Sequence, residues 1–169
     1  SKLSRLNNAV DIYSKLLSQY PQLKDYTMLK LAEAHLELGE ENKSLQLLNR
    51  ILKEFPQSSL RPYAKFFLGK LHFNRDDLGT AYKFFTEIIE KYPKNDLVPE
   101  SMLFIGIIFK KQGKIIKAYE TFTNLFHSFP LNEFSIEAEE KIREMRQAKI
   151  KLPEFPPNFI SRRIELLMK

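Results

Sequence analysis

Residues 62–93, PYAKFFLGKLHFNRDDLGTAYKFFTEIIEKYP, decide the fold of this chain. The stretch divides into two helices joined near its middle. Gly69 and Ala81 are small, as is required where two antiparallel helices approach closely, and Phe85 fills the space beside them. Pro93 ends the second helix because a proline has no N–H to donate. The stretch therefore predicts one helical hairpin.

The hairpin pattern recurs along the chain with a period of 37 residues. Each unit ends in a proline that follows an aromatic residue, at Pro56, Pro93 and Pro130. The close-approach position of the first helix is small each time, as Ala32, Gly69 and Gly106. A residue that tolerates a left-handed helix end follows in each unit, as Gly39, Asp76 and Gly113. Self-similarity at this period predicts stacked helix pairs.

We predict an all-α fold, a right-handed α-solenoid of antiparallel helix pairs. A leading half repeat occupies residues 1–21, and complete repeats occupy 22–58, 59–95 and 96–132. Residues 133–150 are predicted to form a capping helix with one solvated face, because Arg143 replaces the small residue. A Pro-rich connector at 151–157 precedes a truncated helix at 158–169. Both ends fall inside helical pattern, so we expect a fragment of a longer protein.

The net charge of +6 is concentrated near the end of the chain. Residues 1–140 carry 19 Lys/Arg and 18 Asp/Glu, whereas residues 141–169 carry 8 and 3. The repeats therefore have no basic stripe that could follow phosphates, and no nucleic-acid partner is expected. The chain has no cysteine, so it has no disulfide framework and no thiolate metal site. It also has no apolar run long enough to span a membrane.

No constellation of residues indicates catalysis, and neither a catalytic site nor a cofactor is predicted. The adjacent acids Asp76 and Asp77 fit a turn followed by a helix N-terminus, where carboxylates interact favourably with the helix dipole. His35 and His72 occupy the same position of consecutive repeats, which favours packing over metal ligation. No metal site is therefore predicted.

The pattern L-G-x2-H…A-x3-F…P, carried by Leu68, Gly69, His72, Ala81, Phe85 and Pro93, resembles the tetratricopeptide repeat superfamily. The resemblance covers about residues 6–150. The run F-x-x-I-I-x-K-Y-P at 85–93 is similar to bacterial envelope members. These include the periplasmic division coordinator that works with the Tol–Pal system, the outer-membrane assembly lipoprotein and the superhelix of soluble lytic transglycosylases. The resemblance implies a periplasmic or cell-envelope location, with the cytoplasm as the alternative.

In such arrays the first helix of each repeat lines a concave face, and five of its positions point into that face. In this chain they are Tyr26, Leu29, Glu33, Leu36, Glu37, Tyr63, Phe66, Lys70, Phe73, Asn74, Glu100, Leu103, Ile107, Lys110 and Lys111. We predict that the partner-binding groove uses ten of them: Tyr26, Leu29, Glu33, Tyr63, Phe66, Lys70, Phe73, Leu103, Ile107 and Lys110. The alternative is that these apolar groups are covered by the array or by the tail.

The resemblance implies a non-catalytic scaffold that binds a protein or peptide partner. Chaperone-binding members hold a C-terminal carboxylate with Lys and Asn at two of these positions, but this chain has Leu29 and Glu33, Phe66 and Lys70, and Leu103 and Ile107 there. That class of peptide is therefore not expected. Two other functions stay open: a helical region of a larger cell-wall enzyme and a self-assembling solenoid. A membrane-associated complex formed through further regions, and a homo-oligomer, stay open as well.

Overall fold

The computed structural model describes residues 2–148 and 151–153, and within them the chain forms eight α-helices and no strand. A short 3-10 helix, Pro21–Leu23, separates the first two helices. The helices are α1 (Lys2–Gln19), α2 (Lys24–Glu37), α3 (Glu41–Glu54), α4 (Arg61–Asn74), α5 (Leu78–Lys91), α6 (Val98–Lys111), α7 (Ile115–Ser128) and α8 (Glu133–Gln147). The predicted all-α fold of paired helices is confirmed. The helix predicted after Asn158 lies outside the described residues.

The chain divides into two compact units within α5. Unit 1 comprises residues 1–84 and unit 2 comprises residues 85–169. In unit 1, α2 packs against both α1 and α3, and α3 also packs against α4. In unit 2, α7 packs against both α6 and α8, and α6 also contacts α8.

The core of unit 1 is aliphatic. Met28, Ala32, Leu48 and Ile51 are completely buried between α2 and α3. Helix α1 contacts this core through one side only, with the partly buried residues Val10, Tyr13 and Leu17. No residue of α1 is fully buried. The leading half repeat thus uses a single apolar stripe, as expected for a helix packed on one side.

The core of unit 2 depends on a close helix contact at Gly106. A Cβ atom at this position would lie 2.3 Å from Cε1 of Phe122 and 2.6 Å from its Cδ1. Real Cβ atoms do not approach other atoms so closely, so only glycine leaves room for the ring. Phe122 is completely buried. The pair confirms, in the third repeat, the predicted role of a small residue facing an aromatic one.

The turn inside each hairpin has the left-handed backbone that the sequence predicts. The φ angles are +77° at Gly39, +58° at Asp76 and +72° at Gly113. After Gly39, the Glu40 N–H donates to the His35 carbonyl at 2.8 Å, and the Gly39 N–H donates to the Leu36 carbonyl at 3.0 Å. These two bonds are the Schellman arrangement, which satisfies carbonyl groups at a helix end.

The connectors between hairpins share a hydrogen bond from the backbone to a side chain. Ser58, Asn95 and Asn132 lie 37 residues apart, and each side-chain oxygen accepts the backbone N–H two residues later. The donors are Leu60, Leu97 and Phe134, at 3.1, 3.0 and 2.9 Å. Serine and asparagine therefore perform the same task at equivalent positions.

Helix α8 has a buried stripe and a polar outer face. Ser135, Ala138, Ile142 and Met145 are buried against unit 2. Arg143 points away from this stripe, is exposed, and lies 3.6 Å from Glu139. The helix therefore covers apolar surface on one side only.

Candidate functional site

Unit 1 contains an open hollow of about 380 Å³ beside helices α2 and α4. We call it the α2–α4 hollow. Its lining residues are Glu33, Leu36, Glu37, Gly39, Glu41, Phe67, Lys70, Leu71 and Asn74. Five of these nine belong to the positions that the repeat register assigns to the concave face. The other four, Gly39, Glu41, Phe67 and Leu71, were not predicted.

The hollow has an apolar part and a charged part. Leu36, Phe67 and Leu71 supply hydrocarbon surface, and Leu71 is almost completely buried. The charged lining groups are the carboxylates of Glu33, Glu37 and Glu41 and the ammonium group of Lys70. The hollow thus combines an apolar floor with a charged rim.

Each of the three carboxylates contacts a basic side chain of unit 1. Glu33 accepts a hydrogen bond from Lys30 at 2.8 Å, and this bond raises the pKa of Lys30. Glu41 accepts one from Arg75 Nε at 2.9 Å. Glu37 lies 3.1 Å from Lys2, whose side chain is 81% exposed. The rim carboxylates thus already bind cationic groups in the structure.

The predicted groove residues of unit 1 differ in accessibility. Tyr26 is 47% exposed, whereas Tyr63 and Phe73 are half-buried. Leu29 and Phe66 are each only 3% exposed and belong to the interior. The Phe66 ring contacts Phe67 edge-on, with ring centroids 6.1 Å apart. A partner could therefore reach the tyrosines more readily than Leu29 or Phe66.

The ammonium group of Lys70 lies over the buried Phe66 ring. Lys70 Nζ is 5.4 Å from the ring centroid, within the range of a cation–π contact. Glu33 and Lys70 are the two members of the predicted ten that line the α2–α4 hollow.

The three predicted groove residues of unit 2 also differ in accessibility. Leu103 is buried, whereas Ile107 and Lys110 are half-buried. Lys110 Nζ donates a hydrogen bond to Glu144 at 2.9 Å, and this bond is the main reason why the pKa of Glu144 is lowered. Lys110 therefore connects α6 to α8.

The two equivalent histidines each bridge a hairpin turn. His35 Nδ1 lies 2.5 Å from Glu40 Oε2, and His72 Nδ1 lies 3.0 Å from Asp77 Oδ2. Hydrogen bonds from Lys43 and then from His35 lower the pKa of Glu40. Among the described residues, no group of three or more His, Cys, Asp or Glu side chains could hold a metal ion.

Comparison with protein-family models gives two matches, both to tetratricopeptide repeat models. The first covers residues 2–65 and the second covers residues 63–95. The chain belongs to the tetratricopeptide repeat superfamily. The matches overlap at residues 63–65, and together they span residues 2–95, more than half of the chain. A comparison with curated proteins gives no match.

Solved structures of tetratricopeptide repeat proteins have a similar fold. A tetratricopeptide repeat protein from Parabacteroides merdae matches with a TM-score of 0.68 and 23% identity, over 86% of this chain and 54% of that chain. This chain therefore spans about half the length of that protein.

Two further structures match over almost the whole chain. A kinesin-light-chain-like protein of Podospora anserina, with nearly identical repeats, has a TM-score of 0.63 and 14% identity over 98% of this chain and 82% of that chain. MamA of AMB-1 has a TM-score of 0.60 and 16% identity over 99% and 85%. At these identities the likeness concerns the fold alone. Within the described part of this tetratricopeptide repeat chain, no helix combines the length and apolar character of a membrane span.

Proposed function

We propose that this chain is a non-catalytic interaction scaffold that binds a segment of a protein or peptide partner on the face formed by α2 and α4. The observation that carries the proposal is the α2–α4 hollow, a binding-sized recess on a rigid helical framework. Partly exposed aromatic residues, Tyr26 and Tyr63, belong to the same two helices. Tyrosines and a recess of this kind are typical of protein interfaces.

Burial of Phe66 moves the expected contact surface relative to the sequence-based prediction. A side chain that is 3% exposed offers almost no area to a partner. We therefore propose that Phe66 supports the site from inside unit 1. The partner contacts Tyr26, Tyr63, Lys70 and the walls of the hollow.

Selection of short displayed peptides on the 169-residue chain tests the proposal. Asn74 lines the hollow at the exposed end of α4, so Asn74→Trp fills the recess. Asn49→Trp is the matched control, because Asn49 is exposed on α3 and does not line the hollow. We expect Asn74→Trp to weaken binding of the selected peptides by at least about tenfold and Asn49→Trp to change it by less than about twofold. Equal effects of the two variants, or a selection without binders, would refute the proposal.

We also propose a role in a bacterial cell-envelope assembly. The support is the sequence resemblance of residues 85–93 to envelope members of the superfamily. Fractionation of cells that express the native gene tests this location. Recovery of the protein in the cytoplasmic fraction alone would contradict it.

Self-association is a second candidate, and the outer side of α1 favours it. Helix α1 packs on the core of unit 1 through Val10, Tyr13 and Leu17, and Ile12, which faces away from Val10, is 48% exposed. Light scattering over a range of protein concentrations tests this candidate. A mass that stays at the monomer value would remove it, whereas a dimer mass that Ile12→Lys abolishes would support it.

A further inference from the structure

We propose that the outer side of α1 in one copy of the chain binds the outer side of α8 in a second copy, head to tail. This inference rests on the self-association candidate and adds the second surface and the direction of the two helices. Each of these helices packs on its own unit through one side and has an exposed opposite side.

Each outer side carries an exposed isoleucine. Ile12 faces away from the residues that attach α1 to unit 1. Ile136 is 50% exposed and lies about 160° around α8 from the buried Ala138 and about 120° from the buried Ile142. The two side chains can therefore form the apolar centre of a contact between copies.

The outer side of α1 is basic. Arg5 and Lys15 lie seven residues before and three residues after Ile12, so the three side chains share one side of the helix. Both basic residues are exposed, and neither forms an ion pair within the described residues. The acidic residue of α1, Asp11, lies about 100° around the helix from Ile12.

The outer side of α8 is acidic. Glu133, Glu137 and Glu140 are spaced by four and three residues, so they form one stripe, and Ile136 lies beside it. All three glutamates are exposed, and within the described part of the chain none of them forms an ion pair. This stripe is therefore complementary in charge to the outer side of α1.

The basic residues nearest the stripe are paired with other glutamates. Arg143 lies 3.6 Å from Glu139, and Lys141 lies 3.6 Å from Glu144. Glu144 also accepts a hydrogen bond from Lys110 at 2.9 Å. These pairs leave the negative charge of the stripe uncompensated.

An antiparallel arrangement of the two helices matches both kinds of group. With Ile12 opposite Ile136, Lys15 lies opposite Glu133, since each is three residues from its isoleucine in opposite chain directions. Arg5 then extends toward the later glutamates of the stripe. A contact of one helix pair is small, so the association is weak. Because the two surfaces differ, a bound copy keeps its other surface available, and association continues beyond the dimer unless a ring closes.

Charge reversal tests the inference on the full chain. One variant carries Arg5→Glu and Lys15→Glu, and the other carries Glu133→Lys, Glu137→Lys and Glu140→Lys. In light scattering at low salt and up to about 1 mM protein, the wild-type mass should exceed that of the monomer and fall when salt is added. Each variant alone should associate at least about tenfold more weakly, because its two surfaces then carry like charges. A mixture of the two variants should regain the association, since every basic surface again meets an acidic one.

Two exposed positions on other helices provide the matched control. Lys53→Glu on α3 and Glu120→Lys on α7 reverse charges away from both surfaces and should change the association by less than about twofold. Circular dichroism of all variants verifies that they fold.

Cysteine cross-linking tests the pairing of the two helices directly. The chain has no cysteine, so each introduced thiol is unique. In an oxidised mixture of Ile12→Cys and Ile136→Cys, the disulfide between positions 12 and 136 should exceed both homodimers, because a disulfide requires close Cα atoms. Ile116→Cys, at an exposed position of α7, should not cross-link to Ile12→Cys above background.

The outcomes separate this inference from the self-association candidate. A chain that stays monomeric under these conditions would overturn both. Association that survives in the glutamate variant, or homodimers linked through position 12, would overturn this inference and leave self-association through another contact. The binding of peptides by the α2–α4 hollow is measured separately and is affected by neither result.

Discussion

Replacement of Gly106 by alanine tests the packing principle of the repeat. The added methyl group would lie 2.3, 2.6 and 2.8 Å from three atoms of the Phe122 ring. Phe122 is completely buried, so the ring cannot turn into solvent to relieve the contact. Overpacking costs about 1–3 kcal/mol, and a contact as short as 2.3 Å places this substitution in the upper part of that range, at about 2–3 kcal/mol. The higher helix propensity of alanine offsets up to about 1 kcal/mol of this cost.

We expect a net loss of about 1–2 kcal/mol in the free energy of unfolding of Gly106→Ala. For a chain of this length, that corresponds to a fall of roughly 2–8 °C in Tm. Thermal and urea unfolding, followed by far-UV circular dichroism, measures the change. Because repeat arrays can unfold in more than one step, hydrogen exchange of amides in α6 and α7 should accompany the melting curves.

Gly79→Ala is the control for helix propensity. Gly79 lies in α5, and a Cβ atom built there meets no atom within 4 Å. This change should therefore stabilise the chain by about 0.5–1 kcal/mol. The two glycine substitutions should thus shift Tm in opposite directions.

A double variant tests whether contact with Phe122 causes the loss of stability in Gly106→Ala. In Gly106→Ala, the further change Phe122→Leu shortens the side chain that the methyl group would strike. We expect this change to cost less than Phe122→Leu costs alone, with a coupling energy of at least about 0.5 kcal/mol. A Gly106→Ala variant that is as stable as Gly79→Ala would refute the reasoning, since it would mean that the two helices do not touch at this point.

Three further predictions concern the pH dependence and the cores of the units. Hydrogen bonds lower the pKa of Glu40, from Lys43 first and His35 next, and the pKa of Asp77, from Thr80 first and His72 next. The two carboxylates therefore stabilise the folded chain fully above about pH 5, and this stabilisation is lost as the pH falls below about 4. Urea midpoints of the wild type should therefore fall more steeply over this range than those of the Glu40→Gln, Asp77→Asn double variant, and parallel slopes would contradict this. Phe66→Ala should lower the free energy of unfolding by about 3–5 kcal/mol, because the ring is buried, and a small loss by urea unfolding would show that Phe66 is a surface residue. Lys110→Ala should cost less than about 1 kcal/mol in the same assay, because its bond to Glu144 is exposed, and a larger loss would indicate a core role.

The repeat and its turns could be predicted because single residues carry the constraint. A left-handed turn requires glycine or a short polar residue, and the sequence provides one at Gly39, Asp76 and Gly113. The small residue at Gly106 is required by a contact that no larger residue permits. Such constraints are local, so they are visible in a sequence without knowledge of the packing partners.

The accessibility of the candidate site could be predicted only in part. Helix α2 packs against both α1 and α3, so a wide arc of its surface is buried, from Thr27 to His35. The repeat register assigns Leu29 to the open face, but it does not show how far neighbouring side chains extend over that position. The register likewise assigns Phe66 of α4 to the open face, although neighbouring side chains bury it. Glu41 was missed because it belongs to the second helix of its hairpin.

The connector hydrogen bonds have a consequence for how the gene can change in length. A segment from residue 59 to residue 95 begins directly after one acceptor, Ser58, and ends on the next, Asn95. If recombination inserted a second copy after residue 95, Asn95 would precede Ser59, and the Leu60 N–H would again lie two residues after an acceptor. The copy would itself end on an asparagine followed by residue 96, as in the native chain. In-frame duplication at these points therefore adds one repeat and keeps this connector hydrogen bond at both junctions, so the number of repeats can change in single steps.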